Sequence, residues 1–275
     1  MPALMAFPRI EQRLPELMAF IGDLSTAIDL RDTETLGKAE GSITSFFDLE
    51  QQQKLEAIAP GWSALIAHDQ SKTLTHVMLA MASLRFYPEF EKSSPEEQNI
   101  VRWALLFHDI AKRSEAERDL THAFRSAVAL CRSLSLIGVD LPASYFQNLH
   151  SWAELTLNAT TRQTGSNQLI QNNQRIPEIL AGLDMMLEGH AAARTAIKLV
   201  LLHHSINHLH DWPQASALTD DQVRHLFDDR LLQLIRIMML ADNDGWELFN
   251  ANNCTRYREE TRTVFRHLHT LISSH

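Results

Sequence analysis

The sequence predicts an all-α fold, and three observations carry that prediction. Apolar residues recur at helical spacing through most of the chain, with Leu, Ala, Gln and Glu filling the segments between breaks. Glycine occurs only 9 times in 275 residues. Alternating runs of β-branched residues, which would mark half-buried strands, are few.

Taken in order, helices are expected over about 9–30, 44–58, 72–86, 96–111, 121–136, 143–158, 176–188, 191–208, 219–226, 229–241 and 254–273. Breaks fall at Pro60-Gly61, from Pro88 to Pro95, from Gly138 to Pro142, at Thr164-Gly165-Ser166-Asn167 and at Asp211-Trp212-Pro213. Ser94-Pro95-Glu96-Glu97 is a strong helix start, with a hydroxyl cap, Pro at the first helical position and acids in the first turn. Thr219-Asp220-Asp221 is another. The polar, Gln- and Asn-rich segment 159–175 reads as a surface loop or insertion. Residues 1–60 contain no histidine and read as an N-terminal helical extension packed on the core or offering a partner surface.

Composition narrows the function classes. A hydrophobic content of 45% with 21% charged residues is that of a soluble globular protein. The net charge of −9 argues against general nucleic-acid binding, because a phosphate backbone requires a basic face. No apolar run approaches membrane-spanning length, and Pro8, Arg9 and Glu11 interrupt the N-terminus where a signal peptide needs an unbroken apolar stretch. Cys131 and Cys254 are too few for a disulfide framework and lack metal-type spacing, so both read as reduced thiols in a cytoplasmic protein.

Three apolar helical runs end in metal-ligand residues: Trp103–Phe107 into His108-Asp109, Ile197–Leu202 into His203-His204, and Leu234–Ala241 into Asp242. A carboxylate after such a run lies near a core, where its burial must be compensated, and a metal ion does so. His76 precedes and His122 follows the His-Asp pair, giving the order His, His-Asp, His, His-His, Asp. That is the ligand string of a mono- or binuclear metal site on helices. The dipeptide alone decides nothing, since His68-Asp69 and His210-Asp211 also occur. His68-Asp69 has no histidine before it, and His210-Asp211 sits in a polar stretch ahead of Trp212-Pro213. Each ligand also has a plain alternative: His76 as a helix-surface residue, His122 as a polar helix start, one of His203 and His204 as a core hydrogen-bonding group. Asp244 competes with Asp242, but it precedes Gly245 in an expected turn. His208 and His210 are candidates for a pocket mouth.

Taken together, Leu74-Thr-His76-Val-Met, Leu106-Phe-His108-Asp109-Ile-Ala-Lys112, Thr121-His122-Ala-Phe-Arg125, Leu202-His203-His204-Ser and Leu240-Ala-Asp242 resemble the HD-domain superfamily of metal-dependent phosphohydrolases. The resemblance implies an HD-type catalytic domain over 61–250, followed by a C-terminal helix over 251–275. It also implies that His76, His108, Asp109 and Asp242 hold one metal and that Asp109 bridges to a second held by His122 and His203 or His204. Imidazole and carboxylate ligands suit one or two Mn, Fe, Co, Ni or Zn ions, with Mg at a carboxylate-rich position. The implied activity is hydrolysis of a phosphomonoester or phosphodiester, such as a nucleotide, by a metal-activated water. Ile110-Ala111-Lys112 replaces the Glu-Asp pair of guanosine-tetraphosphate hydrolases, and the Gly-Tyr-Pro signature of cyclic-di-GMP phosphodiesterases is absent after His204. Two alternatives stand beside this expectation: a mixed-valent di-iron oxygenase of the myo-inositol oxygenase type, which shares the ligand set and the Lys, and a non-catalytic regulatory HD module.

Helical spacing places Lys112 one turn from His108 and Arg125 one turn from His122, so both are candidates for contacts to a substrate phosphate. Asp109 and Lys112 are the candidate catalytic residues. The alternative for the two cations is a solvated helix face, with Arg125 paired to Glu115 or Glu117.

Overall fold

The computed structural model describes residues 7–113, 119–163, 165, 167–206 and 217–273. The fold is all-α: among the described residues there are fifteen α-helices, two short 3-10 turns and one two-stranded hairpin. His208, His210 and the Asp211-Trp212-Pro213 break lie outside the described residues, as do Glu115 and Glu117.

The N-terminal third forms α1 (Ile10–Arg13), α2 (Pro15–Ala27), α3 (Thr33–Phe46), α4 (Leu49–Ile58) and α5 (Trp62–Asp69). The single helix expected over 9–30 breaks at Leu14, because Pro15 carries no N–H and opens a new helix instead. The helix expected over 44–58 is two, separated where the Asp48 side chain accepts from the Gln51 N–H. α3 went unpredicted because Gly37 and Gly41 weaken its pattern; the Asp32 cap starts it. These helices are tied to the rest by apolar contact and by polar anchors at Pro8. Its carbonyl accepts from Trp103 Nε1 at 2.8 Å and Asn99 Nδ2 at 3.0 Å.

The centre is α6 (Lys72–Ser83), buried at every residue from Thr73 to Ser83. Around it lie α2, α3, α5, α8 (Pro95–Phe107) and α14 (Asp229–Gly245), while α12 (Ala191–Leu202) packs across α8, α9 (His122–Ser133) and α14. α10 (Ala143–Leu157) and α11 (Ile176–Met186) extend the α9 side, while α15 (Glu247–Ser273) packs along α14 and α13 (Asp220–Leu226) packs on α15. A short α7 (Pro88–Lys92) sits within the predicted Pro88–Pro95 break. The capping boxes at Ser94/Glu97 and Thr219/Gln222 are both formed. One apolar cluster runs from Phe7 to Leu271.

Three differences bear on the site. α8 stops at Phe107 rather than 111, and residues 108–112 continue as successive tight turns, Ile110 N–H to Phe107 O and Lys112 N–H to Asp109 O. α14 runs on to Gly245, so Asp244 is helical and not in a turn. The segment 159–175 is not a surface loop throughout: Thr160–Arg162 pairs antiparallel with Leu169–Gln171, burying Ile170 and Gln171. Both cysteines are free and buried, and burial pushes each thiol up to about 12. No helix among the described residues is long and apolar enough to cross a membrane.

Candidate metal centre

The predicted ligands meet where the end of α8, the start of α9, the end of α12 and the last turn of α14 converge on His76 within α6. His108 is the C-cap of α8 and His203 the C-cap of α12, where the last carbonyls lack helical partners. Each ring meets that need with Nδ1, at 2.7 Å from the Leu105 carbonyl for His108 and 2.7 Å from the Val200 carbonyl for His203. His122 opens α9 and directs Nδ1 to the Asp119 carbonyl at 2.7 Å. A carbonyl only accepts, so each Nδ1 carries a proton and Nε2 is the atom whose lone pair a metal ion would take.

Those lone pairs converge. His122 Nε2 and His203 Nε2 lie 3.4 Å apart, where two acceptors repel unless a cation or proton stands between them. His204 completes this group, and the ligand atoms of His122, His203 and His204 lie within 4.8 Å of one another. A second group joins His76, His108 and Asp242, with His76 Nε2 3.2 Å from His108 Nε2 and 3.0 Å from Asp242 Oδ1. Asp109 stands between them. Its Oδ1 is 2.8 Å from His122 Nε2 and 3.8 Å from His108 Nε2, and its Oδ2 is 3.7 Å from His76 Nε2. The two groups can hold metal ions, and imidazole with carboxylate is a donor set suited to them.

Charge confirms how the site is balanced. Burial opposes ionisation of Asp109, yet Lys112, His108 and His122 hold its carboxyl well below the usual range. Asp242 is held low in the same way, against burial, by His108 and His76. Burial would also neutralise His108, but Asp109 and Asp242 outweigh it and raise the ring to about 9. His76 shares Asp242 and still shifts down, from burial and from the charge on His108. The two rings thus shift in opposite directions, His108 towards its charged form and His76 towards its neutral one. Burial first, then its imidazole neighbours, press His203 down to about 3 and His204 well below its ordinary value.

Lys112 comes close to Asp109 through the turn and not through a helix: its Nζ is 2.9 Å from Asp109 Oδ2. Arg125 reaches Asp119, Thr121 Oγ1 and the Ala111 carbonyl, which braces the turn that orients His122. Asp244 belongs to neither ligand group and instead binds Tyr87 and Arg258.

Sequence reasoning missed Trp246, which stacks on His76 with centroids 4.1 Å apart and planes at 21°. A ring that acts through its face belongs to no ligand spacing, so the sequence singles out no Trp here. Comparisons with protein-family models, with curated proteins and with solved structures find no match for this chain.

Proposed function

We propose that this chain is a metal-dependent phosphohydrolase of the HD-domain type, acting in the cytoplasm on a phosphomonoester or phosphodiester. The observation that carries this reading is the position of Asp109, set between two groups of metal-ligand residues with the Lys112 ammonium on its second oxygen. His76, His108 and Asp242 would hold one ion, His122, His203 and His204 another, with Asp109 facing both. Such ions supply a water acidified to near neutral pH and positive charge for phosphoryl oxygens.

The chain's own residues do the rest. Backbone carbonyls of Leu105, Asp119 and Val200 keep the imidazoles aimed inward. Lys112 offers donors to a phosphoryl oxygen beside Asp109. Hydrolysis adds water to phosphorus and breaks the ester P–O bond, and the departing oxygen takes up a proton.

Elemental analysis of protein purified without added metal, followed by a phosphatase and phosphodiesterase panel with Mn or Co, tests the reading. Bound metal with phosphoester cleavage supports it. Iron with oxygen consumption and no hydrolysis, or no bindable metal at all, overturns it.

A further inference from the structure

The packed pair α14 and α15 gathers guanidinium groups that the metal-ligand clusters do not use. Arg236 on α14, with Glu259, Arg262, Thr263 and Arg266 on α15, lines a cleft of about 650 Å³. None of these residues belongs to either ligand group. Three cations face one carboxylate in that lining, in a chain whose net charge is −9. Arg262 and Arg266 stand one helical turn apart, where like charges repel and weaken the helix unless an anion joins them.

Little within the chain neutralises this charge. Arg262 makes no hydrogen bond or ion pair among the described residues, and its influence on the buried Asp244 ranks behind that of Arg258. Arg266 donates to the neutral Thr263 hydroxyl at 3.1 Å. Arg236 meets Glu89 at 2.6 Å, but the two side chains are 37% and 41% exposed, and such pairs are weak.

The lining also narrows the ligand. Among the described residues no aromatic or aliphatic side chain lines the cleft, so a nucleobase finds no ring to stack on. No large apolar side chain described on α14 or α15 is exposed, which leaves a lipid surface nothing to hold. Guanidinium forks arriving from two helices suit a tetrahedral oxyanion better than a planar carboxylate, because its oxygens point several ways. The volume falls in the range of small-molecule clefts, roughly 300–1,000 Å³, and exceeds what one phosphoryl group fills.

We propose that the Arg236–Arg262–Arg266 cleft binds the phosphoryl group of a small, polar phosphate ester, such as a sugar phosphate. Arg262 supplies the uncommitted fork, Arg266 the second, and Arg236 turns from Glu89 to the incoming anion. The site is separate from the metal centre and does not depend on the phosphohydrolase reading.

Calorimetric titration of the metal-loaded full chain with inorganic phosphate tests the assignment, run beside Asp109→Ala to remove binding at the metals. The cleft step should persist in Asp109→Ala, and acetate at equal ionic strength should bind at least about tenfold more weakly. Arg262→Met and Arg266→Met should each weaken phosphate binding by about tenfold with metal content unchanged. Arg262→Lys should restore only part of it, since an ammonium has no fork. Arg256→Met removes the same charge from the exposed Arg256–Glu260 pair on the same helix and should leave the step within about twofold. Wild type with its metal chelated repeats the Asp109→Ala arm should that variant fail to fold. Phosphate binding that disappears with the metal, or that survives Arg262→Met and Arg266→Met combined, overturns the assignment. So does binding to phosphatidic acid vesicles with no response to free phosphate, which would give the cleft to a membrane.

Discussion

Gly245 and His76 approach so closely that a Cβ on Gly245 would stand 2.5 Å from the His76 carbonyl oxygen and 2.7 Å from its Nδ1. Neither atom belongs to a flexible side-chain end, so the space can be made only by parting α14 from α6. His76 Nδ1 has no hydrogen-bond partner among the described residues, and the ring is positioned by this contact and by Trp246 on its face. Gly245→Ala should therefore cost about 1–3 kcal/mol of stability and weaken metal binding by about tenfold. Thermal unfolding of the metal-free protein and a metal titration measure the two effects. Wild-type metal affinity in this variant would show that His76 does not depend on the contact.

Asp109→Ala should abolish both metal loading and turnover, since it removes the carboxylate that faces both ligand groups. The sequence suggests an unpaired buried carboxylate whose removal is harmless. In the structure Lys112 and His122 partner it, so the metal-free variant should instead lose about 1–3 kcal/mol, limited because Lys112 is 25% exposed and can turn to water. Full metal content and full activity in this variant would displace Asp109 from the centre of the site.

Asp242 and Asp244, two residues apart on α14, should separate cleanly. Asp242→Ala should lose metal from the His76–His108 group, because the carboxylate lies 3.0 and 3.2 Å from their Nε2 atoms. Asp244→Ala should keep its metal and lose about 3 kcal/mol, since it strands Tyr87 and the partly buried Arg258. Elemental analysis and urea unfolding of the pair decide it, and metal loss from Asp244→Ala would contradict the assignment.

Much of this was legible because one physical rule wrote it. Apolar runs that end in His or Asp place those groups where helices leave the core, and the sequence displays both the run and its ending. The helical class and the gathering of these His and Asp side chains follow. The end of α8 at Phe107 was not legible, because Ile110 and Ala111 prolong the apolar pattern while the His108 ring takes the Leu105 carbonyl. Asp119 and Trp246 were obscure for a different reason. One acts through a backbone carbonyl and the other through a ring face, and neither belongs to a ligand pattern.

Stability of the metal-free protein should peak near neutral pH. His203 is held down to about 3 by burial and by neighbouring imidazoles, and it titrates near 6.5 when unfolded. Between those values the unfolded chain binds the extra proton, so stability falls as pH drops, by about 1.4 kcal/mol per pH unit for each such group. His204, shifted the same way, adds to the slope. His108 acts in the opposite sense: raised to about 9, its contribution is complete below 6.5 and is lost as pH climbs towards 9. Urea midpoints measured with chelator present should decline on both sides, and saturating metal should remove the alkaline decline by replacing the His108 proton. A flat profile between these limits would contradict the charge balance described for the site.

Arg125 gives the last prediction, because the sequence and the structure assign it different work. Helical spacing from His122 suggests a phosphate contact, so that Arg125→Met would slow catalysis with metal intact. In the structure its guanidinium meets Asp119, a residue whose carboxylate also accepts the Arg113 and Thr121 N–H groups and whose carbonyl takes the His122 Nδ1 proton. Arg125 therefore braces the turn that aims His122, acting as a positioning residue. Arg125→Met should weaken metal binding by about tenfold, within the range found when outer partners of ligating histidines are removed. Arg125→Lys should recover little, because one ammonium cannot span Asp119, Thr121 and the Ala111 carbonyl together. Metal titrations of both variants, run beside steady-state kinetics at saturating metal, separate the two roles. A raised KM with unaltered metal affinity would return Arg125 to the substrate, and lost affinity that excess metal rescues places it behind His122.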